Sequence, residues 1–356
     1  MCGPQITANE YLVRTANDRA GKGATLRARA GYFQALLPAR LGLILAAGIA
    51  SGAAYAQAYP ARPVTVVIGN APGNASDILA RQIGEELKNA LKQSFVMLNR
   101  PGANGSIAVD SFRRAKPDGY TLMFASMTMA VVNPHVQADA RYNSAEDFEP
   151  IARLVQQPLL WAIGKPGKFR SLQEIVDYAR KNPDVLRVAR LGYGGSTHLV
   201  STALMAKQNI QFSIIGFVAG SDAYSALRRG DVEVLVDLPQ PLLPRIQSGD
   251  LLPLAVTSAS RLKALPDVPT WIEQGVMDAP LTAWYAFMAP KGTPSEIIDL
   301  LNTEINRVLV SPRLRQRFEE VGGIVEPIRP DELRRFMREE DQRWGQIIKS
   351  ANLKPE

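Results

Sequence analysis

Two short stretches hold the residues whose types and spacing could do chemistry. Gly69 to Asp77 reads Gly-Asn-Ala-Pro-Gly-Asn-Ala-Ser-Asp, and Gly192 to His198 reads Gly-Tyr-Gly-Gly-Ser-Thr-His. Each follows a run of strand length and precedes a helical pattern. A helix start offers unpaired backbone N–H groups and a partial positive charge, so it can hold a carboxylate or phosphate without lysine or arginine. Glycine lets the backbone approach the bound group closely. The candidate ligand-binding residues are therefore Gly73, Asn74 and Asp77 in the first loop and Gly194, Gly195, Ser196, Thr197 and His198 in the second. Facing each other, the two loops would make a pincer for a small organic anion. Either loop alone is equally well read as a tight strand-to-helix turn with capping residues.

Other chemistries fit less well. A nucleotide P-loop would need Gly-Lys-Ser/Thr after the glycines, and neither loop has it. The strict Gly-x-Gly-x-x-Gly dinucleotide spacing is missing from both. Ser196 beside His198 invites a hydrolase reading, but no Gly-x-Ser-x-Gly elbow is present. Asp77 sits in a first helical turn, where it can simply complement the helix dipole or hold a ligand amine or water. Asp237, at a strand end, has the same two readings. Arg190 is either solvated or an added cation for the anion. The chain has one cysteine, Cys2, and two histidines, His135 and His198. Disulfides, a histidine-rich metal site and a thiol nucleophile are not expected, and no cofactor is called for.

The elements that must position these loops alternate. Val64 to Ile68 reads as a strand, and Leu79, Ile83, Leu87 and Leu91 then recur every four residues on one helical face. Phe95 to Leu98 is a strand, followed by Asn99-Arg100-Pro101-Gly102-Ala103-Asn104-Gly105 and a helix. Tyr120 to Ala125, Arg187 to Leu191 and Val232 to Val236 are further strands. Ser171 to Glu174 and Thr293 to Glu296 read as capping boxes opening helices, and Asp331 to Ala351 as a long amphipathic helix. Strands alternating with helices predict an α/β fold of mostly parallel sheets with flanking helices. Ligands in such folds lie at the carboxyl ends of strands.

Composition narrows the partners. Of 356 residues, 46% are hydrophobic and 21% charged, and the formal net charge is +7. Residues 1–56 hold six basic and two acidic groups, so more than half the excess lies there. Runs of basic residues with interleaved aromatics are absent, and nucleic acid is not an expected partner. Leu41 to Ala50 is an apolar run of about ten residues after Arg40, too short to span a bilayer. Ala54-Tyr55-Ala56 then fits the small-x-small cleavage rule. Residues 1–56 are expected to be an N-terminal extension and signal peptide cut after Ala56, which makes the protein periplasmic. Residues 1–35 are long and polar for such a leader, so translation is expected to begin downstream, near Val13 or Leu26.

Many short motifs then occur in order. They include Tyr59-Pro60-Ala61-Arg62-Pro63-Val64, Ala71-Pro72-Gly73 with Asp77, Asn99-Arg100-Pro101-Gly102-Ala103, and Lys116-Pro117-Asp118-Gly119-Tyr120-Thr121-Leu122. Asn133-Pro134, Gly192 to His198, Gly230-Asp231-Val232 and Leu254 to Ser258 follow. Leu265-Pro266-Asp267-Val268-Pro269-Thr270 and Ala289 to Pro294 close the set. With these, the chain resembles the Bug/TctC family of extracytoplasmic solute receptors, which serve tripartite tricarboxylate transporters.

The resemblance implies a two-lobe periplasmic binding protein of type II, a Venus flytrap. It implies lobe 1 from residues 57–158 plus 283–356 and lobe 2 from 159–282, with crossing strands near Pro158 to Lys165 and Trp284 to Ala289. It also implies a carboxylate ligand held by backbone amides and water, with Ser126, Thr128 and Asp237 facing the cleft. The ligand would be a di- or tricarboxylate, an aromatic acid or an amino acid. The protein would act as a monomer that delivers it to the large and small membrane subunits of a transporter. A ligand sensor for a signalling system is the main alternative, and a secreted Ser/His hydrolase a lesser one. The sequence departs from the family pattern at Asn74, Arg190, Tyr193 and Gly216 to Gly220.

Overall fold

The computed structural model describes residues 59–350 except 193 and 218. The expected leader, cleavage point and translation start lie outside these residues. No helix among the described residues is long and apolar enough to cross a membrane.

Ten strands form two five-stranded sheets. The strands are β1 (Val64–Ile68), β2 (Phe95–Asn99), β3 (Thr121–Ser126), β4 (Phe148–Pro158), β5 (Leu160–Gly164), β6 (Arg187–Leu191), β7 (Ser213–Phe217), β8 (Val234–Asp237), β9 (Leu251–Val256) and β10 (Thr282–Pro290). The first sheet has the order β2-β1-β3-β10-β4 and the second β7-β6-β8-β5-β9. In each, the first three strands are parallel and the last two join antiparallel. The sheets are thus mixed, where strand–helix alternation alone pointed to mostly parallel ones. Parallel neighbours require a crossover helix. The strands beside the passage from one sheet to the other enter without one, so they run against their neighbours.

The helices pack as their apolar spacing requires. In helix Ala75–Leu91 the stripe Leu79, Ile83 and Leu87 is buried against the first sheet. At helix Leu172–Lys181 the Ser171 hydroxyl accepts the Glu174 N–H, as the capping box requires. The second expected box does not form. Helix Ser295–Leu309 begins at Pro294 with no side-chain cap, and Thr293 Oγ1 donates instead to the Pro290 carbonyl. The C-terminal helix Pro330–Ser350 packs on both β4 and helix Ser196–Gln208. Buried Glu340 accepts the indole N–H groups of Trp284 and Trp344, each at 3.0 Å, which fixes that helix to β10.

The chain passes between the sheets twice, from β4 to β5 and from β9 to β10. β4 and β5 are separated by Leu159 alone, β9 leaves the second sheet at Thr257, and Leu281 leads into β10. The passage that returns to the first sheet therefore precedes Trp284, and Trp284 to Ala289 lies wholly inside that sheet. Thr257, which is completely buried, ties the two passages together. Its hydroxyl accepts the Leu159 N–H at 2.8 Å and donates to the Leu281 carbonyl. Its own N–H bonds the Leu159 carbonyl, and its carbonyl accepts the Leu281 N–H, each at 3.0 Å. Thr257→Val keeps the shape but leaves a buried N–H and a buried C=O each short of a partner. Urea unfolding should show a loss of about 2–4 kcal/mol. A change within about 0.5 kcal/mol, the usual range of a surface substitution, would contradict this role.

Candidate functional site

The strand ends converge on a cavity of about 470 Å³. One wall comes from the first sheet: Gly69 to Ala71 after β1, Pro101, Gly102, Asn104 and Gly105 after β2, and Ser126, Thr128 and Met129 at the end of β3. The opposing wall comes from the second sheet: Leu191 at the end of β6 with Gly192, Gly195, Ser196 and Thr197 after it, and Asp237 at the end of β8 with Leu238. Tyr285 of β10, directly opposite Ser126, completes the lining. No lysine or arginine is among the described lining residues, so positive potential must come from backbone N–H groups.

The β6 loop supplies them. Helix Ser196–Gln208 has Gly195 at its cap position, with no side-chain cap. Its first intrahelical bond runs from Leu199 N–H to the Gly195 carbonyl, so the Ser196 and Thr197 N–H groups precede that ladder. The side chains of the first turn look backward. Thr197 Oγ1 accepts the Leu191 N–H at 2.9 Å and donates to the Leu191 carbonyl at 3.0 Å, closing the loop. His198 Nδ1 accepts the Gly194 N–H at 3.1 Å. Its ring is buried, and burial together with the Arg190 charge lowers its pKa to about 4. It is therefore neutral at pH 7, with its proton on Nε2. Gly195 is needed for closeness, because a Cβ there would lie 3.1 Å from the Leu191 carbonyl oxygen. Gly194 is buried, and a Cβ on it would lie 3.5 Å from Val136 in the segment after β3.

The β1 loop is arranged differently. Asn74 caps helix Ala75–Leu91 itself: its Oδ1 accepts the Asp77 N–H at 3.0 Å and the Ser76 hydroxyl at 2.8 Å. Asp77 is also fully engaged. One oxygen accepts from Gly73 N–H and Arg81 Nε, both at 2.9 Å, and the other from Asn99 Nδ2 at 2.9 Å. The Arg81 hydrogen bond, above all, lowers its pKa to about 2. Asn99 Nδ2 also donates to the Asn70 carbonyl. Gly73, Asn74 and Asp77 thus brace the loop behind the cavity, while Gly69, Asn70 and Ala71 line it.

Of the residues singled out from the sequence, Ser126, Thr128, Gly195, Ser196, Thr197 and Asp237 meet in one cavity. Gly73, Asn74, Asp77, Gly194 and His198 stand beside or behind its wall. Sequence reasoning passed over Pro101, Gly102, Asn104 and Gly105, although Pro-Gly-Ala-Asn-Gly after a strand was the available signal. It also passed over Tyr285 and Met129. Their position depends on β10 joining from the second sheet and on an irregular turn, Thr128–Val132, with wide helical geometry.

Two ionisable groups face the cavity. Asp237 is 6% exposed, and burial raises its pKa to about 6, although the Leu238 N–H and the Arg245 charge pull the other way. Burial pushes the Tyr285 hydroxyl up to about 12, so it remains a neutral donor. Arg190 does not line the cavity. Its guanidinium lies against Gly216 of β7, 3.1 Å from where a Cβ would sit. Among the described residues no group of histidine, cysteine and acidic side chains could hold a metal ion.

Comparison with known proteins agrees with this architecture. Residues 79–353 match the tripartite tricarboxylate transporter family receptor, TctC. A UPF0065 protein of Bordetella bronchiseptica is 34% identical over 303 residues, 85% of this chain and 90% of that protein. Rhodopseudomonas palustris Rpa4515, solved with adipate, superposes with a TM-score of 0.73 at 29% identity, covering 84% of this chain and 100% of that one. MatC from Rhodopseudomonas palustris, solved with bound malate, gives 0.69 at 28% identity, covering 82% and 100%. The cavity between two sheets, the strand-end loops and these matches place this chain in the TctC receptor family, whose members are periplasmic solute-binding receptors and not enzymes.

Proposed function

We propose that this chain captures a small carboxylate, in the size range from malate to adipate, and delivers it to a tripartite tricarboxylate-type transporter. The observation that carries this reading is the uncapped helix start at Ser196 and Thr197, opening into a cavity whose described lining has no cationic side chain. Such a site neutralises an acid with fixed backbone dipoles, and the hydroxyls of Ser126, Thr128, Ser196 and Tyr285 add hydrogen bonds. The adipate and malate complexes of two relatives support the ligand class. In this reading the protein is exported with its leader cut after Ala56 and works as a monomer. Its lobes are residues 57–158 plus 283–356, and 159–282, a division supported by the sheet membership of the strands. Gly73, Asn74, Asp77, Gly194 and His198 serve the site by holding its loops.

A thermal-shift screen of mono-, di- and tricarboxylates, aromatic acids and acidic amino acids tests the proposal. At a hundredfold excess over Kd, the right acid should raise Tm by about 4 °C. Ser196→Asp, which sets a like charge at the helix start, should abolish that rise with little change in the unliganded Tm. No shift with any acid, or a full shift in the variant, would remove the proposal.

Asp237 gives a sign test. Its carboxyl is neutral below about pH 6 and then donates toward a bound acid; above that it becomes an anion facing another anion. Adipate affinity should fall at least about fivefold from pH 6 to pH 8, because the proton must be kept or regained on binding. In Asp237→Asn the profile should flatten. An affinity that rises with pH would mean that Asp237 meets a cation, such as the ammonium of an amino acid.

A further inference from the structure

A second cavity of about 470 Å³ shares no lining residue with the first. It lies beside the passage between the sheets. Arg153 and Gln156 of β4 and Thr282 of β10 line it from the first sheet, and Arg261 and Lys263, in the segment after β9, line it from the second. Gly322 permits the close approach of the two sides, since a Cβ on it would fall 2.9 Å from Pro239.

The lining is cationic. It holds Arg153, Arg261, Lys263 and Arg315 against two carboxylates, Glu319 and Glu326. Glu319 is occupied by Lys263 at 2.8 Å and Arg315 at 3.0 Å, and Arg261 is held by Glu273, outside the lining, at 3.0 Å. Arg153 is the unusual group. It is 8% exposed, its guanidinium lies 4.9 Å from the centre of the Phe336 ring, and burial lowers its pKa. Among the described residues only Glu326 accepts from its side chain, at 3.0 Å, so one of its five N–H donors meets a protein acceptor. A guanidinium taken out of water needs charge and acceptors around it.

Glu326 shows what fits. One of its oxygens accepts from both Arg153 and Gln156 Nε2, the latter at 3.2 Å. Its side chain is 61% exposed and unpinned by any other described hydrogen bond or ion pair. A carboxylate oxygen thus already occupies an acceptor position in the cavity, on an arm free to swing into solvent. An incoming oxyanion of higher charge could take that position, engage Arg153 through two parallel N–H bonds and reach Lys263. We infer that this cavity is a second binding site for a small polyvalent oxyanion, with Arg153 as its anchor and Glu326 as an internal competitor.

Isothermal titration with inorganic pyrophosphate at low ionic strength, where such contacts are least screened, tests the site. The wild-type protein should bind one equivalent, and Ser196→Asp should bind it equally well. Removing the competitor with Glu326→Gln should tighten binding about tenfold, and Arg153→Gln should weaken it at least about tenfold, the scale of one charged hydrogen bond. Lys263→Gln in the Glu326→Gln background gives the same direction should Arg153→Gln fail to fold. Unchanged affinity in the Glu326 and Arg153 variants, or no binding in wild type and Glu326→Gln, would overturn the assignment. Loss on Ser196→Asp would do so too, by placing the anion in the first cavity.

Discussion

A helix start with no side-chain cap is the feature on which the rest of the site depends. Helix Ala75–Leu91 satisfies its first N–H groups with the Asn74 side chain. Helix Ser196–Gln208 has a glycine at that position. The residues that could have turned inward, Thr197 and His198, instead hold the preceding loop. The donors nearest the cavity are left for something that comes from outside. Because the described lining has no lysine or arginine, an acid bound there is held by dipoles fixed in the fold, which need no rearrangement when it arrives.

The two sheets make that arrangement useful. In each, the parallel strands end on the side of the cavity, so their loops face one another across it. The two passages between the sheets run side by side, and Thr257 bonds Leu159 of the first and Leu281 at the end of the second. Hinge motion about such a waist is a common means by which two lobes close on a ligand. The C-terminal helix packs on β4 and on helix Ser196–Gln208, so it links the helix that supplies the donors to the first sheet.

Much of this was legible in the residues. The alternation of β-branched runs with four-residue apolar spacing gave the strand–helix order, and the Gly-rich run before Ser196 marked a loop that lines the cavity. Ser126 and Thr128 came from family resemblance, since their spacing alone carries no signal, while Asp237 was marked by its place at a strand end as well. The first loop shows the limit of local reading. Gly73, Asn74 and Asp77 have the composition of an anion loop, but their polar atoms are used on one another, on Arg81 and on Asn99, which is 22 residues from Asp77. Such long-range bonding decides whether a cap serves the helix or the ligand. Tyr285 could not be found for a related reason: it reaches the cavity only because β10 returns to the first sheet and pairs with β3.

Amide-resolved NMR during an adipate titration tests the central claim most directly, because it reads the donors themselves. Hydrogen bonding to a carboxylate should move the Ser196 and Thr197 amide protons downfield, with the largest shifts in the protein. The amides of Asn74 to Asp77, already held by their own cap, should move little. Saturable binding that leaves Ser196 and Thr197 unmoved, with its largest shifts at another set of amides, would contradict the account.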